Sequence, residues 1–285
     1  MLAFCTMALS IRALAGALSI FEILAIRSAS GVAVLLALIA LRPDLRGEIV
    51  PRRMALHVLR NTVHFAAQYS WALSVTLLPL AAVFAIEFTA PAWVALLAVL
   101  LLGERLTPSR IGVLVLGFVG VLVILRPGLA TFQPAALLVL AAAFGFAVAL
   151  TVTKTLTATT TTLAILFWMN VMQLPIAVAG SDLTFVTRLG VGDLPALTGV
   201  AMSGLASHYA LTNAFRAGDA TIVVPLDFVR IPLIDEKDVR EAAQRNAVRC
   251  PHLTNRRPVG EMDLGCPTLE EARGPGGVRA SRLRD

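Results

Sequence analysis

From the N-terminus to about residue 234, long apolar blocks alternate with short polar interruptions. About 20 apolar residues cross a hydrocarbon core of ~30 Å as a helix. On that scale the pattern predicts spans at Met1–Ala15, Phe21–Leu41, Leu56–Leu77, Leu80–Leu102, Ile111–Leu125, Pro134–Thr153, Leu163–Ala179 and Pro195–Phe215. A ninth begins at Ala220 and ends at Leu233. The interruptions carry turn chemistry: Arg42-Pro43-Asp44, Gly103 to Pro108, Arg126-Pro127-Gly128 and Gly180-Ser181-Asp182. Met1 to Leu18 is apolar but holds Arg12 and is followed by further spans, so it reads as a short first helix rather than a signal peptide. The expected class is all-α, a polytopic membrane bundle of about nine spans.

Composition agrees with that reading. Charged residues make up 15% of the 285 positions and hydrophobic ones 57%, with a mean hydropathy of +0.80. A soluble domain carries about 25% charged residues. The charge is unevenly placed: residues 1–234 hold 14 Lys/Arg and 9 Asp/Glu, residues 235–285 hold 10 and 9. The net +6 therefore does not form a nucleic-acid footprint, and no nucleic-acid partner is expected. Cys5, Cys250 and Cys266 lack the paired spacing of a zinc site, so no metal or other cofactor is expected.

Loop charge sets the orientation. With a cytoplasmic N-terminus, the inner loops hold Arg42, Arg46, Arg52, Arg53, Arg105, Arg110, Lys154 and Arg216, against Arg126 and Arg188 outside. The predicted location is the inner membrane, multi-pass, N-terminus inside. The chain also repeats weakly. Gln68-Tyr69-Ser70-Trp71 precedes Leu80 to Pro91 much as His208-Tyr209-Ala210-Leu211 precedes Ala220 to Pro232; the tyrosines lie 140 residues apart and the prolines 141. Five spans separate the copies, an odd number, so the second is inverted in the membrane, a secondary-transporter arrangement.

Pro91-Ala92-Trp93-Val94-Ala95-Leu96-Leu97, then Leu102-Gly103-Glu104-Arg105-Leu106, then Gly117-Phe118-Val119-Gly120-Val121-Leu122 and Arg126-Pro127-Gly128 resemble the EamA repeat of the drug/metabolite transporter superfamily. Gly218-Asp219-Ala220 through Val224-Pro225-Leu226-Asp227-Phe228-Val229-Arg230-Ile231-Pro232 is similar to the later half of that repeat. The resemblance covers residues 1–234 and implies ten spans in two inverted five-helix halves around a central cavity. Accordingly, residues 1–128 are read as a first repeat, 129–234 as a second, incomplete one, and 235–285 as a charged, disordered tail. After Pro232 this chain departs from the family: Asp235-Glu236-Lys237-Asp238 opens an Arg/Pro/Gly-rich run where the family continues with an apolar half-helix, a second Gly-Glu and a tenth span. That run reads as a frameshifted or fused end, with a natural charged tail as the alternative.

Ionisable side chains inside spans are costly in lipid and face the bundle or a wet cavity. At 100° per residue, His57, Arg60, His64, Gln68 and Trp71 fall on one face of the third span. Arg60, His64, Gln68 and Trp71 are expected to line a translocation path; interhelical hydrogen bonding is the plainer role, and His57 sits nearer the interface. Glu87 lies one turn before Pro91, which frees a backbone carbonyl, and is a candidate for holding a coupling proton or a cation. Asp227 and Arg230, at i and i+3, either pair with each other or bind a zwitterion. Arg27, close to Glu22, is a candidate for an anionic substrate group, although both Arg27 and Arg12 could snorkel to an interface. His208, Thr212 and Arg216 form a shorter stripe echoing the third span, with His208 as a further lining candidate.

These features point to a secondary transporter of a small metabolite, amino-acid-like, nucleoside-like or a vitamin, working by alternating access between two halves, with a homodimer as a candidate assembly. Arg60 and Arg230 would hold anionic groups, Trp71 would stack on a planar moiety and Glu87 would couple a proton. A transport-inactive remnant is the main alternative. An ATP-driven pump is disfavoured, because neither Lys154 nor Lys237 sits in a phosphate-binding loop. An intramembrane serine protease built on Ser203 with His64 or His208 is the enzyme alternative; Ala201 stands where a glycine is expected.

Overall fold

The computed structural model describes residues 2–105, 107–109, 111–112, 114–116, 119 and 134–223. The described residues are helical, with no strand among them. Helices α1 (Leu2–Leu14), α2 (Ile20–Leu41), α3 (Met54–Leu77), α4 (Leu80–Glu87) and α5 (Ala90–Leu102) precede α6 (Ala135–Thr157), α7 (Thr162–Ala179), α8 (Leu194–Ala217) and the short α9 (Ala220–Val223). Short 3₁₀ segments at Pro43–Glu48, Leu183–Arg188 and Val191–Asp193 fill the connections.

Among the described residues, four stretches are long and apolar enough to cross a membrane: Ile20–Leu41, Ala82–Leu102, Ala135–Thr157 and Thr162–Ala179. Their outward faces are apolar, as lipid requires; Leu36, Leu100 and Phe144 are examples. Helices α3 and α8 are each 24 residues long but less apolar, because each turns a polar face inward.

Local chemistry fixes the ends. Ser19 caps α2 in a capping box with Glu22, and Thr161 caps α7. Gly103 closes α5 at φ +68, a left-handed position that glycine occupies without a Cβ penalty. Within the expected span Leu80–Leu102 the helix is interrupted at Phe88 and Thr89: α4 stops at Glu87 and α5 restarts at Ala90, with Pro91 in its first turn, while Ala82–Leu102 as a whole remains long and apolar enough to cross. Proline lacks the amide that would continue the hydrogen-bond ladder, yet it fits the first turn of a new helix.

The helices pack pairwise across the chain. α3 lies along α6, α1 along α8, α2 along α7, and α5 also lies on α6. Two cations brace this arrangement. Arg12 on α1 donates from Nε to the Val75 carbonyl (3.2 Å) and from Nη2 to the Leu78 carbonyl (2.5 Å), capping the end of α3. Lys154 on α6 donates from Nζ to the Phe215 (2.7 Å) and Gly218 (2.6 Å) carbonyls at the end of α8. Lys154 follows Arg12 by 142 residues; Phe215 and Gly218 follow Val75 and Leu78 by 140 each. Snorkelling is therefore not what Arg12 does: its head group satisfies orphan carbonyls that a helix end leaves unbonded.

Candidate functional site

The face of α3 singled out by its spacing turns inward as a unit. His57, Arg60, His64, Gln68 and Trp71 are all buried, while Val58 and Leu59 between them are exposed. Around Arg60 and His64, four other helices contribute the partners.

Arg60 donates from Nε to the Thr153 hydroxyl on α6 (2.8 Å) and from Nη1 to the Asn61 side-chain oxygen (2.8 Å). Asn61 turns its amide to the Trp168 carbonyl (3.3 Å) and the Met172 sulfur (3.2 Å) on α7. Arg27 on α2 donates from Nη2 to Gln173 Oε1 on α7 (2.6 Å). The amide of Gln173 faces His64 Nδ1 at 2.9 Å and the Asn61 carbonyl at 3.4 Å. His64 packs edge-on to His208 of α8, ring centroids 4.9 Å apart, and beside Phe146 of α6 at 5.7 Å. The result is one connected polar cluster spanning α2, α3, α6, α7 and α8.

Small residues let the helices approach closely enough for this. A Cβ on Gly204 would stand 2.9 Å from Cγ and 3.1 Å from Cδ of Arg27, so α8 can press on that side chain only through a glycine. Gly145 meets Ala67 in the same way, where α6 and α3 pack.

Of the residues expected at the site, Arg27, Arg60, His64 and His208 meet in this cluster. Arg27 is 2% exposed, so it does not snorkel. Glu22 is not its neighbour in charge: Glu22 bonds its own helix cap at Ser19 N (2.7 Å) and pairs with Arg188 at 2.5 Å. Gln68 is buried, and its Oε1 has no hydrogen-bond partner. Trp71 and Glu87 form a separate pair, Nε1 donating to Oε2 at 2.7 Å, with Trp71 set in the largest apolar cluster beside Phe84. Thr212 is buried on the α8 stripe, whereas Arg216 leaves it to bond Thr162 Oγ1 (2.9 Å) and the Thr160 carbonyl. Asp227 and Arg230 lie outside the described residues.

Asn61, Thr153, Gln173 and Gly204 were missed. Asn61 and Gln173 did leave a signal: uncharged amides within otherwise apolar spans, a placement that lipid penalises unless a partner exists. Glu104 of the Leu-Gly-Glu motif also has a role that spacing did not assign. Its carboxylate accepts from Ala220 N (3.0 Å), Thr221 N (3.1 Å) and Thr221 Oγ1 (2.7 Å), and so caps α9 from across the chain. Ser203, the protease candidate, donates to the Val200 carbonyl at 3.4 Å, as a helix-bound hydroxyl does.

Among the described residues no group of His, Cys, Asp and Glu is arranged to hold a metal ion.

Residues 1–126 match the model of the EamA-like transporter family. Curated relatives include an S-adenosylmethionine uptake transporter of Rickettsia prowazekii, 26% identical over 63% of this chain and 60% of its own length. A riboflavin transporter of Brucella anthropi is 29% identical over 62% of this chain and 64% of its own. The chain thus spans about 60% of the length of the first of these relatives. A solved crystal structure superposes with a TM-score of 0.60 at 16% identity, covering 89% of this chain and 98% of that one, which is a likeness of fold.

Proposed function

We propose that this chain, whose residues 1–126 are an EamA family domain of the type found in the drug/metabolite transporter superfamily, is a secondary transporter of a small metabolite in the bacterial inner membrane. The family and its relatives carry the names of transporters rather than enzymes. The observation that carries the proposal is the buried cluster of Arg27, Arg60, Asn61, His64, Gln173 and His208, built where five helices meet. Polar groups of this density cost too much in a lipid-facing bundle to serve packing alone.

Alternating access between two inverted halves is the mechanism that fits. Support comes from the matched caps of Arg12 on α3 and Lys154 on α8, and from the matched packing of α1 on α8 and α3 on α6. In that scheme α2 and α7 face each other across the axis of the repeat, and the cluster sits beside it near the midplane. We place the first repeat at residues 1–128 and the second at 129–234, with the N-terminus cytoplasmic. Glu87, held by Trp71, is the proposed proton-coupling carboxylate. Asp227 and Arg230 belong to the second half's contribution, and a homodimer is the proposed assembly.

S-adenosylmethionine and riboflavin, the substrates named for the relatives, are the first to test. Proteoliposomes holding the full chain should accumulate one of them, with Arg60→Ala abolishing uptake and Ser203→Ala leaving it intact. Folded protein that moves neither these nor other amino-acid-like, nucleoside-like or vitamin substrates would leave the inactive-remnant reading in place. For orientation, a reporter active only in the cytoplasm should work when fused after Glu48 and fail after Arg188; the reverse pattern refutes the assignment.

A further inference from the structure

The centre of the bundle holds two arginines without an acid to match them among the described residues. Arg27 and Arg60 are each 2% exposed and are tied into one hydrogen-bond network through Gln173 and Asn61. Among the described residues neither forms an ion pair, and their hydrogen bonds run to neutral oxygens on Gln173, Asn61 and Thr153. Nε and Nη1 of Arg27 have no partner. Of the described glutamates, Glu22 is held by Arg188, Glu87 by Trp71 and Glu104 by the start of α9, while Glu48, like Asp44, lies exposed in the 3₁₀ connection after α2. Asp182 caps its own 3₁₀ turn, and Asp193 accepts from Gly190 N.

A guanidinium cannot shed its charge at any working pH, so burial without a counter-ion is a standing cost. Replacing a buried ionic group by well-packed hydrophobic residues is often neutral or stabilising, so a retained charge of this kind points to a role beyond packing. The surroundings keep the charge and add donors. Gln173 spends its oxygen on Arg27 and turns its N–H toward His64. Gly204 leaves no side chain between α8 and the Arg27 stem.

We propose that Arg27 and Arg60 together seat an oxyanion of the transported molecule, a carboxylate or a phosphate, with Gln173 as the residue that positions Arg27. The inference rests on the transporter reading and narrows it to metabolites that carry such a group. Two guanidiniums offer the fork geometry that oxyanions accept bidentately, which a halide cannot use.

The test uses the full chain purified in detergent, followed by thermal unfolding with inorganic phosphate or acetate at millimolar concentration, against chloride at equal ionic strength. A ligand bound only by the folded state raises the melting temperature, here by about 2 °C or more near saturation. The wild type should show that rise with at least one oxyanion, and Arg27→Gln and Arg60→Gln should each lose it. A rise with both probes identifies the shared oxyanion chemistry; a rise with one alone identifies the carboxylate or the phosphate as the bound group. Without any probe, Arg27→Gln should melt at or above the wild type, because it removes an uncompensated buried charge; a purely structural arginine requires the opposite sign. Arg27→Lys keeps the charge but not the fork and should retain a reduced rise.

The proposal is overturned if neither probe shifts the wild type beyond chloride, or if the rise survives in both glutamine variants. It is also overturned if Arg27→Gln unfolds well below the wild type or does not fold. The transporter reading fails separately. An intact oxyanion rise with no flux of any substrate sinks transport and leaves the seat standing. Flux of a substrate without an oxyanion, unchanged by Arg27→Gln, sinks the seat and leaves transport standing.

Discussion

Glu104 supplies the sharpest structural test, because its three bonds reach a segment 116 residues further along. Replacing it by alanine strands the amides of Ala220 and Thr221 at a buried helix start, where neither can find an intrahelical partner. A hydrogen bond to a charged group is worth about 1.5–3 kcal/mol, and the carboxylate here accepts three that share one anion. Glu104 itself is half-exposed, so water entering its place recovers some of that, and the net loss should be about 2 kcal/mol, at the upper edge of what cap removal costs. Since 1.4 kcal/mol is tenfold, local opening at residues 220–221 should rise roughly 30-fold. Hydrogen–deuterium exchange reads this directly on a peptide covering 218–223, in detergent, with a peptide from α7 as the internal control. Glu104→Gln should fall between wild type and alanine, because it keeps one good acceptor. Unchanged exchange at 218–223 in a folded Glu104→Ala protein would refute the cross-chain cap and, with it, the assigned role of the Leu-Gly-Glu motif.

Lys154→Met and Arg12→Met should each lower stability by about 1.5–3 kcal/mol through lost charge-assisted bonds to helix-end carbonyls, with Lys154→Arg recovering part of it in a thermal scan. Their losses should add in the double variant because they share no partner, and strong non-additivity would argue against two separate braces. Gly204→Ala should cost about 1–3 kcal/mol by overpacking against Arg27, with a larger loss of oxyanion response than of stability; a neutral effect on both would place α8 further away. Trp71→Phe removes the indole N–H from Glu87 and should cost about 1–2 kcal/mol, while Glu87→Gln on the Trp71→Phe background should cost little more; independent losses would show the pair is not coupled.

The membrane class, the all-helical character and the inward stripe of α3 were legible because each rests on a local regularity. Lipid demands long apolar runs, and a period of 3.6 residues places His57, Arg60, His64 and Gln68 on one face wherever the helix goes. The interruption at Phe88 and Thr89 was not anticipated within the Leu80–Leu102 span, although Pro91 carries the local signal for it. Even the matched spacing of the tyrosines 140 residues apart could be read before any coordinates.

Partnership could not. Arg27 and Gln173 are 146 residues apart, Arg60 and Thr153 are 93, and nothing in either segment specifies how α2 crosses α7 or α3 lies along α6. Those crossings come from side-chain packing over whole helix faces, with Gly145 and Gly204 allowing contacts that any Cβ would block. The sequence by itself therefore determined which residues had to face inward. Only the tertiary structure decided that Glu22 belongs to Arg188, that Trp71 belongs to Glu87, and that Arg27 and Arg60 meet, among the described residues, neutral partners at the centre.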